Sequence, residues 1–189
     1  MKNNVVKEID HAIKDLWMHE IRFEYDHYYL LKEDTLKNAL YHHLRNRLDP
    51  LLTKNHLRIY TEFTDGPLQG SGRRADIAIV EIDEACDAKY LKDFVKEVVC
   101  IIEIKYKSDY TSGANHIRSD FSKLEYYIKK LKINCQYYMI SLFEADDEQI
   151  PWLEETEIQR WAEGKVTELN ASYNKNGEMK FYKCSHNQR

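Results

Sequence analysis

Residues 98–106 read VVCIIEIKY, and no other stretch constrains the fold as strongly. Val98 to Ile102 are five consecutive apolar residues, rich in β-branched side chains. Such a run suits a strand covered on both faces, at the centre of a sheet. The next periodic segment, 115–132, is helical, with Ile117, Phe121, Leu124, Ile128 and Leu131 on one stripe. After it comes QYYMISLF at 136–143, a further strand. A strand, a helix and a strand in succession form a crossover, so these two strands should run parallel.

Upstream, Leu57–Phe63 alternates as a strand does, and Arg74–Val80 is predicted as a second strand. Between them lies DGPLQGSG at 65–72, a turn. At least this first pair should be antiparallel. The expected fold class is therefore α/β, with a mixed central sheet of about four strands flanked by helices. The chain order of the core is α-β-β-β-α-β.

The flanks are helical first. Val5, Ile9, Ile13, Leu16 and Trp17 predict an amphipathic helix over 4–20, followed by a tyrosine-rich stretch from Phe23 to Leu31. Leu36, Leu40, Leu44 and Leu48 predict a second helix from about Glu33, which Asp49 and Pro50 should end. Residues 83–97 are polar, with a short helical pattern around Tyr90, Leu91 and Phe94. Beyond the fourth strand come an acidic segment, Glu144 to Glu148, and a short helical region from Trp152 to Trp161. A hairpin ends the chain, Val166–Tyr173 and Met179–Lys183 around an Asn174–Gly177 turn. One domain over 1–189 is expected. Its core spans about 33–143, with a helical extension at 1–32 and a helix plus hairpin at 144–189.

The chemistry begins on the third strand. Glu103 and Lys105 are two apart, so they share a face. Asp76 interrupts a second strand that is apolar after its arginines, where aspartate is disfavoured. If the two strands are neighbours, Asp76 and Glu103 converge. Two carboxylates together repel unless a cation joins them, and a hard divalent ion such as Mg²⁺ suits oxygen ligands. Lys105 beside that ion could steady a developing negative charge. Each residue alone has a plainer reading: a strand-end ion pair for Glu103 and Lys105, and a salt bridge to Arg73 or Arg74 for Asp76. On the helix before the sheet, Glu33 lies seven residues ahead of Leu40 and so falls on the apolar face. Its plainer role is to favour the helix N-terminus, beside Asp34. Glu24 is a weaker candidate, and Glu62 should share a face with Arg58 and Tyr60, toward solvent. Arg73, Arg74 and Lys123 are the cations best placed to meet phosphates.

The order of elements and the D…E-x-K residues together resemble the PD-(D/E)XK, or restriction-endonuclease-like, nuclease superfamily, over roughly residues 33–143. The resemblance implies that Asp76 and Glu103 hold Mg²⁺, with Mn²⁺ as a substitute, and that Lys105 assists the attacking water. It also implies a further acid on the preceding helix, for which Glu33 is the match. The sequence departs from the pattern at Ala75, where the motif often has proline, and in the long insert at 81–97. The function implied is metal-dependent hydrolysis of phosphodiester bonds by an endonuclease, with DNA ahead of RNA as substrate. Double-strand cutting would favour a homodimer. A module of the same fold that binds nucleic acid or a protein without cleaving stays open as the alternative, as does an unrelated α/β protein with a surface ion pair.

Composition bounds the rest. With 28 Lys+Arg against 32 Asp+Glu, the net charge is −4, which argues against binding nucleic acid by bulk charge alone. Cys86, Cys100, Cys135 and Cys184 are scattered, with no C-x-x-C pair, so a zinc ribbon is not expected. Cys100 and Cys135, inside apolar runs, should be buried thiols. The charged start MKNNVVKEID has no apolar signal region, and no run suits a membrane span. A reducing, cytoplasmic setting is the expectation. His42 and His43 are adjacent on a helix and point apart, so they form no metal pair. Nucleotide-binding glycine loops and the serine-hydrolase elbow are absent from the sequence.

Overall fold

A computed structural model describes residues 2–108, 113–146 and 151–186. The chain begins with α1 (Lys2–Leu16), which runs through a π-helical turn at Trp17–Ile21 into the short α2 (Arg22–Asp26). The widened turn keeps Trp17 and Ile21 on the core side, both fully buried. Next comes α3 (Glu33–Lys54). Thr35 organises its start: the hydroxyl accepts the N–H groups of Leu31 and Lys32 and donates to the Lys32 carbonyl. Pro50 does not end this helix, as the sequence suggested, but lies inside it. Leu48 and Leu52 are both buried on the same stripe. Their burial outweighs the hydrogen bond that a proline cannot donate.

The strands are β1 (Leu57–Phe63), β2 (Ala75–Ile82), β3 (Val95–Lys107), β4 (Gln136–Asp146), β5 (Val166–Tyr173) and β6 (Met179–Ser185). They form one mixed sheet in sequential order, β1-β2-β3-β4-β5-β6. The pairs β1–β2 and β2–β3 are antiparallel, and β3–β4 is parallel across the crossover helix α4 (Gly113–Lys129). The sheet has six strands, not about four. The terminal hairpin is not an appendage: β5 pairs parallel with β4, and β6 extends the sheet antiparallel to β5. Burial explains why, since seven of the eight residues of β5 are buried. A strand covered on both faces needs hydrogen-bond partners inside the sheet.

Each face of the sheet has its own core. On one face α1 and α3 cover Ile77, Ile79, Ile102, Ile104, Ile140 and Leu169. On the other, Ile117, Phe121 and Leu124 of α4 join Trp152, Trp161, Ala78, Ile101 and Met139. Along β3 the side chains alternate between these cores, which puts Glu103 and Lys105 on the α4 face with Ile101. Residues 155–157 form the single turn α5, part of the helical region expected there. The acidic segment 144–148 lies partly outside the described residues. Cys100 is fully buried, Cys135 only partly, and all four cysteines are free. No helix among the described residues is long and apolar enough to cross a membrane.

Candidate active site

The site forms where β2 and β3 part. Their register runs out at Ile77–Ile102. Two residues further along β3, the Ile104 N–H donates to Asp76 Oδ2 at 2.8 Å. A side-chain carboxylate thus takes the place of a strand partner, which fixes Asp76 against β3. Beside it, Glu103 is fully buried, and no backbone N–H donates to its carboxylate. Its close polar partner is the Lys123 ammonium, 2.5 Å from Oε2, a charge-assisted contact. The Tyr127 hydroxyl is buried in the same place and interacts with Glu103.

Burial drives the electrostatics. Loss of water pushes the Asp76 carboxyl above its ordinary range, against the opposing pull of the Ile104 N–H and Lys123. It pushes Glu103 well above, despite Lys123, and the nearby Asp76 charge adds to the rise. Burial, then the Glu103 charge, likewise raises the Tyr127 phenol. Two adjoining carboxylates pushed up in this way either keep a proton between them or are relieved by a cation.

Lys105 lies between two helices. Its ammonium donates to Glu33 Oε2 at 3.0 Å, at the start of α3, and sits 3.3 Å from Asp120 Oδ2 on α4. Burial works to lower its pKa, but Asp120 and Glu33 more than offset that, and the group stays a cation. Asp120 Oδ1 is also 3.7 Å from the Lys123 ammonium, and its Oδ2 is buried without a hydrogen-bond partner. Four carboxylates, Glu33, Asp76, Glu103 and Asp120, therefore surround two ammonium groups, and the Lys37 ammonium is also coupled to Asp76.

Asp76, Glu103, Lys105 and Glu33 are thus brought together as the sequence predicts. Glu33 touches Lys105. Lys123 turns inward onto Glu103 and donates to the Arg74 carbonyl at 3.2 Å. At the rim, the Arg73 guanidinium lies 4.3 Å over the Tyr126 ring, and Arg74 pairs with Glu62. Glu62 is not simply solvated. Its backbone is left-handed, φ +55°, which breaks the alternation of β1 and directs the carboxylate to Lys37 and Arg74. Glu24 instead meets His43 at 2.6 Å. That pair lines a cavity of about 610 Å³ with His19, Glu20, Phe23 and Tyr29, none of them a site residue.

Sequence reasoning missed Asp120 and Tyr127. The signal was there: Asp120, Lys123 and Tyr127 are three and four apart, so they share the helix face that carries Leu124. Polar residues on an inward stripe mark a site, and that spacing passed unread.

Among the described residues, no three His, Cys, Asp or Glu side chains form a group that could hold a metal ion by themselves. Mg²⁺ does not require one, because it is commonly held by one or two carboxylates, with water and substrate phosphate completing its shell. Asp76 and Glu103, whose oxygens take no backbone donor apart from the Ile104 N–H on Asp76, fit that description. A search among known proteins finds no matching family model, no matching curated protein and no matching solved structure.

Proposed function

We propose that the protein is a metal-dependent nuclease of the restriction-endonuclease-like kind, hydrolysing phosphodiester bonds, with DNA as the first substrate to test. The observation that carries this reading is Glu103, fully buried with no backbone donor and a single lysine as its close partner, beside a carboxylate held at a sheet split and next to Lys105. Burial of an acid without backbone donors costs stability and calls for a compensating role.

In this reading Asp76 and Glu103 hold Mg²⁺, or Mn²⁺ in its place. When bound, the ion polarises the scissile phosphate and makes a bound water more acidic. The chain's own residues do the rest. Asp76 is oriented by the Ile104 N–H. Lys105 is kept charged by Asp120 and Glu33 and directed into the site, where it stabilises negative charge developing on phosphate oxygens. Glu33 acts on Lys105 as a positioning residue. Arg73 and Arg74 on the rim meet the substrate backbone.

The test is nicking of supercoiled plasmid by purified protein with Mg²⁺ or Mn²⁺, repeated with Asp76→Ala and Lys105→Ala. Cleavage by the wild type and its loss in both variants supports the reading. Equal nicking by the variants assigns the activity to a contaminant. Binding of DNA without cleavage favours the non-cleaving module.

A further inference from the structure

Glu103 is held by charge alone. Its neighbour Lys123 is tethered to α4, mostly buried, and has two other partners within reach, the Arg74 carbonyl at 3.2 Å and Asp120 at 3.7 Å. Burial works against the Lys123 ammonium, but Glu103, then Asp76 and Asp120, keep it charged. Lys105 differs, because its partners are Glu33 and Asp120. A carboxylate without backbone donors, met by one flexible cation, can exchange that cation for another, since a lysine stem reorients readily.

We propose that Lys123 is a tethered counter-ion, which occupies Glu103 in the metal-free protein and must leave it when a divalent cation binds. Metal and ammonium compete for one carboxylate. The displaced ammonium, still joined to the helix over the site, then becomes available to a substrate phosphate. This rests on the reading of Asp76 and Glu103 as metal ligands. It gives Lys123 two successive partners, an acid before metal binding and a phosphate after it.

Two measurements without nucleic acid test the idea. In the first, Mn²⁺ binding is followed by calorimetry for the wild type, Lys123→Met and Asp76→Asn, with a thermal melt of each as a fold control. Removing a like charge at ion-contact distance should tighten Mn²⁺ binding by at least about tenfold in Lys123→Met. Asp76→Asn should weaken it. In the second, wild-type protein is reductively methylated with and without Mg²⁺, and Lys123 modification is read by peptide mass spectrometry. It should rise with Mg²⁺. Unchanged or weaker Mn²⁺ binding in folded Lys123→Met, with binding still lost in Asp76→Asn, overturns the counter-ion and leaves the metal site standing. No Mn²⁺ binding in any of the proteins overturns both. If Lys123→Met does not fold, the methylation result decides alone, and unchanged or reduced reactivity overturns the proposal.

Discussion

Two glutamates lie on the same face of the sheet and in the same row, flanking Met139: Glu103 on β3 and Glu168 on β5. Both are fully buried. Glu168 accepts from the Trp152 N–H at 2.8 Å, the Leu153 N–H at 3.2 Å and Asn170 Nδ2 at 3.2 Å, and lies 2.9 Å from His186 Nε2. Glu103 has no backbone donor, and its close partner is the Lys123 ammonium at 2.5 Å. The first is a structural anchor that ties residues 152–153 and the chain after β6 to the sheet. The second is left open. Burial of an acid therefore says little by itself, and the state of its lone pairs says what it is for.

Breaking the anchor should give the largest effect. Glu168→Ala leaves two backbone N–H groups, Asn170 and His186 without their acceptor, and should cost about 3–5 kcal/mol in urea denaturation. A loss below about 1 kcal/mol would mean that the network is ornamental. Glu103→Gln keeps the shape and removes the charge. It should lower plasmid cleavage by at least about a hundredfold while leaving the metal-free fold as stable as the wild type or more so at pH 8. Destabilisation comparable to Glu168→Ala would place both residues in one class.

A pH series sharpens the contrast. Burial raises the Asp76 and Glu103 carboxyls above their unfolded values, so the folded state favours their protonated forms. Their contribution to stability is fully present below the ordinary carboxylate range and is lost as pH climbs through the raised values. The melting temperature of metal-free Glu103→Gln should therefore gain on the wild type as pH rises, and Mg²⁺ should shrink the gap by favouring the ionised acid. A pH-independent difference would contradict the assignment. The smallest effect is expected at Ser141, which donates to Asn170 Oδ1 at 2.6 Å and accepts from Trp152 Nε1 at 3.1 Å. Ser141→Ala should cost about 1 kcal/mol and leave cleavage intact.

The contrast also shows what the sequence made legible. Glu103 could be read because it ends a long apolar run, so its burial was written in the residues around it. Asp76 was readable for the same reason. Glu168 was not, because in VTELNASY it lies on the polar side of an alternating strand, with Asn170 and Ser172 opposite Leu169 and Ala171, and its burial comes from pairing with β4 and from Trp152 above. For that reason the hairpin read as a decoration and the sheet as about four strands. Pro50 misled because local preference yielded to the burial of Leu52. Glu62 misled because one left-handed residue reverses the alternation that face assignment depends on. Asp120 stood among the charges of an amphipathic helix, where its spacing with Lys123 and Tyr127 was the one sign of an inward face, and the position of α4 over β3 makes that sign plain. The antiparallel β1–β2 pair, the parallel β3–β4 crossover and the terminal hairpin were legible from what lies between the strands, whereas the parallel pairing of β5 with β4 was not.

The central claim is that the acid without backbone donors, unlike the anchored one, exists to hold a cation. Calorimetric titration of Mn²⁺ into the wild type, Glu103→Gln and folded Glu168→Gln tests it most directly. The account predicts one binding event in the wild type and in Glu168→Gln, and none in Glu103→Gln. Binding that survives Glu103→Gln, or a wild type that takes up no Mn²⁺, would contradict it.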